Sequence, residues 1–171
     1  MNICFKKVNK NGPYYKQALA LIRDFLKEEH TRTGNNPRAF RFDIDELENN
    51  LQNANPKVSI AVALDGGEAV GYALFSMRNF CAVLGRRSLL LEDLYIKPKF
   101  RGRGLGRTFM KYLSKESLKK GCDKLEWWVD GTNKNTMEFY KSCGAEICGQ
   151  VGFNMRLTES RMRKLTECLL D

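Results

Sequence analysis

Apolar residues recur along this chain in two patterns, and the first of them predicts β-strands. Strict alternation of apolar and polar residues is typical of a half-buried strand, and a short continuous apolar run is typical of a strand covered on both faces. The run that starts at Leu89 is continuous, carries two carboxylates, and ends before Pro98. Strands are predicted at Ile3–Val8, Val58–Leu64, Ala69–Met77, Leu89–Ile96 and Lys124–Val129, with a last pair within Ala145–Leu157.

The second pattern, apolar residues three and four positions apart, predicts helices between these strands. Helices are predicted at Tyr14–Glu29 and Asp43–Gln52, from Leu105 to a stop at Gly121, from an N-cap at Asn133 to Cys143–Gly144, and after Thr158, with a loop at Thr31–Arg41. The residues around Asp65–Glu68 predict a hairpin turn. Mostly antiparallel strands with inserted helices and one strand–helix–strand crossover predict an α+β fold with a mixed sheet.

A glycine- and arginine-rich loop joins the Leu89 strand to the next helix. The first backbone N–H groups of a helix have no internal partner and carry partial positive charge, so they favour an anion. The loop lacks the spacing of a P-loop and of a dinucleotide fingerprint. A phosphate-binding turn, a solvated surface turn and an RGG-like nucleic-acid contact all remain open from this pattern. The residues concerned are Arg101, Gly102, Arg103, Gly104, Gly106 and Arg107.

Length and composition limit the remaining possibilities. The chain of 171 residues is about one domain in size, so a single domain over residues 1–171 is expected. No apolar stretch of about 18 residues is present, which predicts a cytoplasmic protein without a membrane anchor. The six cysteines show no CxxC spacing, and His30 is the single histidine, so reduced cysteines and no metal site are expected.

The charge of the chain has two possible explanations. There are 29 basic and 20 acidic residues, giving a net charge of +9. Such a balance attracts phosphates, whether on a small molecule or on a nucleic acid, although many surface lysines are simply solvated.

Two spaced motifs resemble those of the GNAT superfamily of N-acetyltransferases. Arg101, Gly104 and Gly106 match R-x-x-G-x-G, and the segment Asn133–Ala145 matches N-x-x-x-x-x-F-Y-x-x-x-G-[AF]. The adjacent acids Glu92 and Asp93 resemble a pair found in the spermidine/spermine (diamine) acetyltransferase branch of this superfamily. The resemblance implies a mostly antiparallel sheet of about seven strands flanked by helices, acetyl-CoA as co-substrate, a polyamine or diamine substrate, and a homodimer; nucleic acid is then an unlikely partner.

The resemblance, together with the loop chemistry, also assigns residues to the cofactor. Strand N–H groups would polarise the thioester carbonyl, the loop would hold phosphates, and Asn133 would contact the cofactor arm while capping its helix. The residues implied are Leu94, Tyr95, Ile96, Arg101, Gly102, Arg103, Gly104, Leu105, Gly106, Arg107, Asn133, Thr136 and Tyr140.

Acetylation of an amine needs a base and an acid. An alkylamine with a pKa of about 10.4 is protonated at neutral pH, and the departing thiolate needs a proton. Glu92 is the expected base, because burial in an apolar strand would raise the pKa of a carboxyl group toward the useful range. The resemblance implies Tyr140 as the acid, with its hydroxyl facing the thioester sulfur. The structural alternative for Glu92 is a carboxylate that pairs with Arg86 or Arg87. The structural alternative for Tyr140 is a tyrosine of the core.

The acceptor is expected to be a polyamine, whose spaced cations call for spaced carboxylates. The candidates are Glu28, Glu92 and Asp93, with Trp127 and Trp128 as surfaces for an aliphatic chain or an ammonium group, at least one of them being a core residue instead. Neighbouring strand residues face opposite ways, so Glu92 and Asp93 enter one cleft only if a bulge intervenes. The positive net charge and Gly152, where the branch suggests another acid, speak against a polyamine. A thialysine- or lysine-like amino acid, a protein amine and a non-enzymatic nucleic-acid-binding module remain the alternatives.

Overall fold

The computed structural model describes residues 3–9, 12–32, 58–81, 85–148 and 153–167. The predicted helix at Asp43–Gln52, most of the predicted loop at Thr31–Arg41, and the interpretation of Gly152 therefore lie outside the described residues.

The secondary structure follows the predicted order closely. The strands are β1 (Ile3–Val8), β2 (Val58–Asp65), β3 (Glu68–Cys81), β4 (Arg86–Ile96), β5 (Lys124–Val129), β6 (Glu146–Cys148) and β7 (Phe153–Thr158). The helices are α1 (Tyr15–Arg32), α2 (Leu105–Lys119), α3 (Lys134–Ser142) and α4 (Glu159–Glu167), with a 3-10 turn at Pro98–Phe100. Thr31 and Arg32 belong to α1, so the predicted start of the loop at Thr31 is wrong.

The strands form one seven-stranded sheet in the order β1-β2-β3-β4-β5-β7-β6. β1 and β2, β5 and β7, and β6 and β7 pair antiparallel, whereas β4 and β5 pair parallel. The parallel pair is joined by α2, which is the predicted crossover. The prediction of a mixed, mostly antiparallel sheet is therefore confirmed.

The chain forms two compact units, and each has its own buried residues. The first unit comprises Met1–Leu74 and Asp93–Phe100, and the second comprises Phe75–Glu92 and Arg101–Asp171. In the first unit, apolar residues of α1 pack on β2 and β3, and Tyr95 joins the same cluster. That the whole chain is one domain stays a prediction.

In the second unit, the apolar stripe of α2 is buried, and α2 also contacts α4 and β5. Because residues three and four apart share a helix face, Leu105, Phe109 and Leu113 turn inward together. The strands supply further buried side chains at Leu89, Leu91, Leu125, Trp127, Met155 and Leu157.

Polar contacts fix the register at the start of the parallel pair. The Arg87 amide donates to Asp123 Oδ2 over 3.2 Å, and the Asp123 amide donates to the Arg87 carbonyl over 3.0 Å. The buried Ser88 hydroxyl donates to Glu126 Oε1 over 2.8 Å, and Lys124 pairs with the other oxygen of Glu126 at 2.8 Å. Each buried polar group here has a partner, so the start of β4 is held against β5 without an orphaned charge.

Among the described residues, no helix is long and apolar enough to cross a bilayer. No group of three His, Cys, Asp or Glu side chains among them is placed to hold a metal ion.

Two tyrosine hydroxyls and two cysteine thiols are buried or half-buried, and their burial makes the protein less stable at alkaline pH. Burial raises the pKa of the Cys122 and Cys143 thiols, and it raises the pKa of Tyr112 to about 12, with a smaller contribution from Glu116. Burial, and then the charge of Asp93, raises the pKa of Tyr72 well above its usual value. The unfolded chain loses these protons first, so the free energy of unfolding should fall as the pH rises above about 8.5, the pKa of an unfolded thiol.

Urea unfolding at pH 7.5, 9.0 and 10.5 tests this prediction. The Tyr112→Phe variant should lose less stability than the parent chain between pH 9.0 and 10.5, because it lacks one of the groups that drive the loss. Equal losses in the two proteins would contradict this account of Tyr112.

Candidate active site

The N-terminus of α2 lacks a side-chain cap. Gly104 occupies the N-cap position in the left-handed conformation, with φ 80°, and no side chain caps the helix. Gly102 also has a positive φ, 71°. Residues 101–104 are exposed, so the first N–H groups of α2 are presented beside an accessible loop. This arrangement is suited to an anion, which is one of the three possibilities that the sequence pattern leaves open.

Backbone conformation favours glycine at two positions of this loop. A Cβ at Gly102 or Gly104 would meet no atom within 4 Å, so space alone does not exclude a side chain. The positive φ does disfavour one, because a left-handed L-residue costs about 1–2 kcal/mol. Gly106 lies inside α2 and is not among the glycines with positive φ.

The three arginines of the motif do not share one environment. Arg101 and Arg103 are exposed in the loop. Arg107 instead donates from Nη2 to the Ser142 carbonyl over 3.1 Å and to Ser142 Oγ over 3.0 Å. The guanidinium of Arg107 thus lies at the C-terminal end of α3, where the helix dipole favours a cation.

Asn133 is the N-cap of α3, which confirms that part of its prediction. Its Oδ1 accepts the Thr136 amide over 3.2 Å. The preceding turn is shaped by Asp130 Oδ1, which accepts the amide and the hydroxyl of Thr132 over 2.9 and 2.7 Å. That Asn133 and Thr136 also contact a cofactor stays a prediction.

Tyr140 is buried and packs against Trp127. Their ring centroids are 4.7 Å apart with a tilt of 47°, and the Phe139 ring lies 5.0 Å from Tyr140. Trp127 is only 1% exposed, whereas Trp128 is 61% exposed, as expected for neighbouring strand residues that face opposite ways. The prediction that at least one tryptophan is a core residue is confirmed by Trp127.

The two predicted strand carboxylates differ in exposure. Glu92 is exposed and Asp93 is half-buried. The expectation that burial desolvates Glu92 is therefore wrong, because the alternation of β4 turns Leu91 inward and Glu92 outward. Glu92 has no side-chain ion pair with Arg86 or Arg87 among the described contacts, so that structural alternative is not supported either.

The first unit holds an aromatic cluster beside Asp93. Phe25, Tyr72 and Tyr95 form a triangle with ring centroids 6.0 to 6.4 Å apart. The Tyr72 hydroxyl is buried without a hydrogen-bond partner among the described residues, and the charge of Asp93 contributes to its raised pKa. Glu28 is half-buried and lies one turn beyond Phe25 on α1.

Sequence reasoning missed the contribution of Phe25 and Tyr72. Both residues fit the apolar pattern of core positions, and that pattern does not show which core residue adjoins a carboxylate. The spacing of Phe25 and Glu28 on one helix face is the signal that could have indicated the cluster. Of the three strand residues predicted to serve the cofactor, Tyr95 is buried in this cluster, and Leu94 and Ile96 are half-buried.

The fold and site define an α+β protein in which an exposed, glycine-rich turn precedes the uncapped N-terminus of the crossover helix. A family model described as "Acetyltransferase (GNAT) family" matches residues 19–145, which is most of the chain. The chain belongs to this family.

Named relatives and a solved structure agree with this assignment. A thialysine N-epsilon-acetyltransferase of Caenorhabditis elegans is 31% identical over 138 residues, covering 80% of this chain and 79% of the relative. The bovine protein of the same name is 39% identical over 77 residues, 45% of this chain and 44% of the relative, so the match spans less than half of that relative. The PaiA N-acetyltransferase of Thermoplasma acidophilum, solved with coenzyme A, shares the fold at a TM-score of 0.64 and 17% identity, covering 92% of this chain and 99% of that one.

Replacing Gly104 tests the conformational argument. Gly104→Ala should lower the free energy of unfolding by about 1–2 kcal/mol, because alanine is strained in the left-handed region. Gly104→Asn should lose less, since asparagine tolerates this conformation and can cap the helix. Urea titrations of the two variants measure the difference, and equal stability of Gly104→Ala and the parent chain would contradict the assigned conformation.

Proposed function

We propose that this protein transfers the acetyl group of acetyl-CoA to a primary amine of a polyamine or diamine. The observation that carries the proposal is the uncapped N-terminus of α2 behind the left-handed Gly102 and Gly104. Membership of an acetyltransferase family supports the proposal, because acetyl transfer from acetyl-CoA would use a site for the cofactor phosphates.

The residues of the loop fit the phosphates of coenzyme A. Backbone N–H groups at the start of α2 would bind the pyrophosphate, and the exposed Arg101 and Arg103 would add bidentate donors. Acetyl-CoA supplies an acetyl group activated as a thioester. Asn133 uses Oδ1 to cap α3, which leaves its amide NH₂ as the group that would donate to the cofactor arm.

Glu92 and Tyr140 are the proposed base and acid. Glu92 would accept a proton from the ammonium group, directly or through a water, and its exposure on β4 suits a relay to solvent. Tyr140 would donate its hydroxyl proton to the departing sulfur. The packing of Tyr140 against Trp127 at 4.7 Å fixes the ring, and a fixed donor loses less entropy when it acts.

The acceptor side is proposed to combine carboxylates with aromatic faces. Asp93 and Glu28 would attract the ammonium groups of the amine. Phe25 is half-buried and would pack against methylene groups, whereas Tyr72 and Tyr95 are buried and would support its ring. Trp128, being exposed, is a proposed contact for the amine, whereas the burial of Trp127 limits it to a supporting role.

A second candidate acceptor is thialysine or another lysine-like amino acid. The observation that favours it is the name shared by the bovine and nematode relatives. Such a substrate carries a carboxylate, so it needs a cation on the acceptor side that a polyamine does not need.

We also propose that the protein is a homodimer. This proposal rests on the resemblance to the diamine branch.

Changing the proposed acid should separate chemistry from binding. Tyr140→Phe should lower kcat about 100-fold at unchanged KM for acetyl-CoA, because general acid catalysis contributes about 10² or more in rate. Initial-rate CoA release with spermidine measures the loss, and Tyr112→Phe serves as the tyrosine control on α2. Full activity of Tyr140→Phe would contradict the proposed role.

Changing the proposed base should shift the pH dependence as well as the rate. Glu92→Gln should lower kcat at neutral pH and recover part of it at alkaline pH, where more of the amine is already neutral. The exposed Glu159→Gln provides a carboxylate control on α4. A pH profile of Glu92→Gln that parallels the parent profile would exclude Glu92 as the base.

The acceptor class can be tested with a substrate panel. Asp93→Asn and Glu28→Gln should raise KM for spermidine by roughly tenfold, more than they change kcat, because they would bind the distal cations. Spermine, putrescine, thialysine, lysine and a lysine peptide complete the panel. A preference for thialysine, with little effect of Glu28→Gln, would favour the second candidate. No CoA release with any amine of the panel would overturn both candidates.

A further inference from the structure

The second unit contains another concavity, formed where α2, the C-terminal end of α3, and α4 meet. Its volume is about 300 Å³. Four basic side chains, Arg107, Lys111, Arg161 and Lys164, line it together with Cys143 and Leu165. We call it the basic pocket.

Four cationic side chains concentrate positive charge in the basic pocket. Arg161 is paired with Glu146 at 2.7 Å, and Arg107 is bound to Ser142. Lys164 makes no ion pair within the described part of the chain, and no carboxylate is among the residues that line the pocket. Like charges gathered in a concavity repel one another, and a bound anion reverses that cost.

Helix capping accounts for only part of this arrangement. Arg107, and Lys111 one turn further along α2, lie where the C-terminal carbonyl groups of α3 favour cations. Arg161 and Lys164 come from α4, a separate element, and they line the same space. Convergence from two helices on one concavity is typical of a binding site and is not required for capping.

Apart from Ser142, whose carbonyl and hydroxyl oxygens accept from Arg107, the remaining side chains of the pocket wall are apolar. Leu165 is 7% exposed and Cys143 is 5% exposed. Burial raises the pKa of the Cys143 thiol, although the charges of Arg107 and Lys111 partly oppose that effect, so the wall is uncharged at neutral pH. A cavity of this size with an apolar wall and several cations suits an organic anion better than a bare ion.

We propose that the basic pocket binds a phosphate monoester carried by a small organic molecule. Lys111 and Lys164 would contact the phosphate directly, with Arg161 and Arg107 held beside it by Glu146 and Ser142. A dianionic monoester matches several converging cations, whereas a carboxylate offers one charge. The group has two possible sources, the 3′-phosphate of coenzyme A or a separate phosphorylated molecule, and only the first source rests on the proposed function.

Calorimetric titrations with three probes test the proposal. The probes are CoA, dephospho-CoA, which lacks the 3′-phosphate, and adenosine 3′-monophosphate. The test variant is Lys111→Gln with Lys164→Gln. The matched control is Lys115→Gln with Arg163→Gln, which removes the same charge from the same two helices at exposed positions that do not line the pocket.

Either of two results would support the pocket and identify its source. If the source is coenzyme A, the test variant should bind CoA about tenfold more weakly and dephospho-CoA unchanged, because it loses charged hydrogen bonds to the phosphate. If the source is separate, saturable binding of adenosine 3′-monophosphate should be lost while the preference for CoA over dephospho-CoA is kept. Binding of this nucleotide by a chain that does not bind CoA would support the pocket and overturn the proposed function.

The proposal is overturned if the test and control variants weaken binding equally, since net charge alone would then explain the effect. It is also overturned if the parent chain shows no preference for CoA over dephospho-CoA and no saturable binding of adenosine 3′-monophosphate.

Discussion

The first backbone amides of α2 are left without a side-chain cap because the chain enters the helix through Gly104 in the left-handed conformation. A serine or aspartate at that position would commonly bond back to these amides and satisfy them internally. Here they remain directed toward the exposed loop, where the helix dipole adds to their attraction for an anion. The proposed role of Arg101 and Arg103 depends on this local choice of backbone conformation.

The position of α2 is in turn set by the parallel pair that it connects. The mutual contacts of Arg87 and Asp123 and the bond from Ser88 to Glu126 hold β4 and β5 in one register. The parallel pairing of β4 with β5 ends at Leu91 and Trp127, although β5 continues to Val129. Trp127, at the end of that pairing, is the residue on which Tyr140 packs, so the register also positions the proposed acid.

Local patterns were sufficient to predict much of the fold. The bounds of β5 and the cap at Asn133 depend on alternation and on a single side-chain hydrogen bond, both of which are short-range. The exposure of Glu92 depends on which face of β4 is covered, and a nearly continuous apolar run does not reveal this. The contact of Arg107 with Ser142 and the placement of Tyr72 beside Asp93 join residues far apart in sequence, so spacing could not predict them.

Binding of the cofactor phosphates at the start of α2 is tested most directly by following the NMR signals of its amide groups in a ¹⁵N-labelled sample. On titration with CoA, the signals of Gly102 through Arg107 should shift in a saturable manner, and the shifts of Leu105, Gly106 and Arg107 should be among the largest. Saturable binding of CoA that leaves these signals unchanged would show that the uncapped helix N-terminus does not bind the cofactor phosphates.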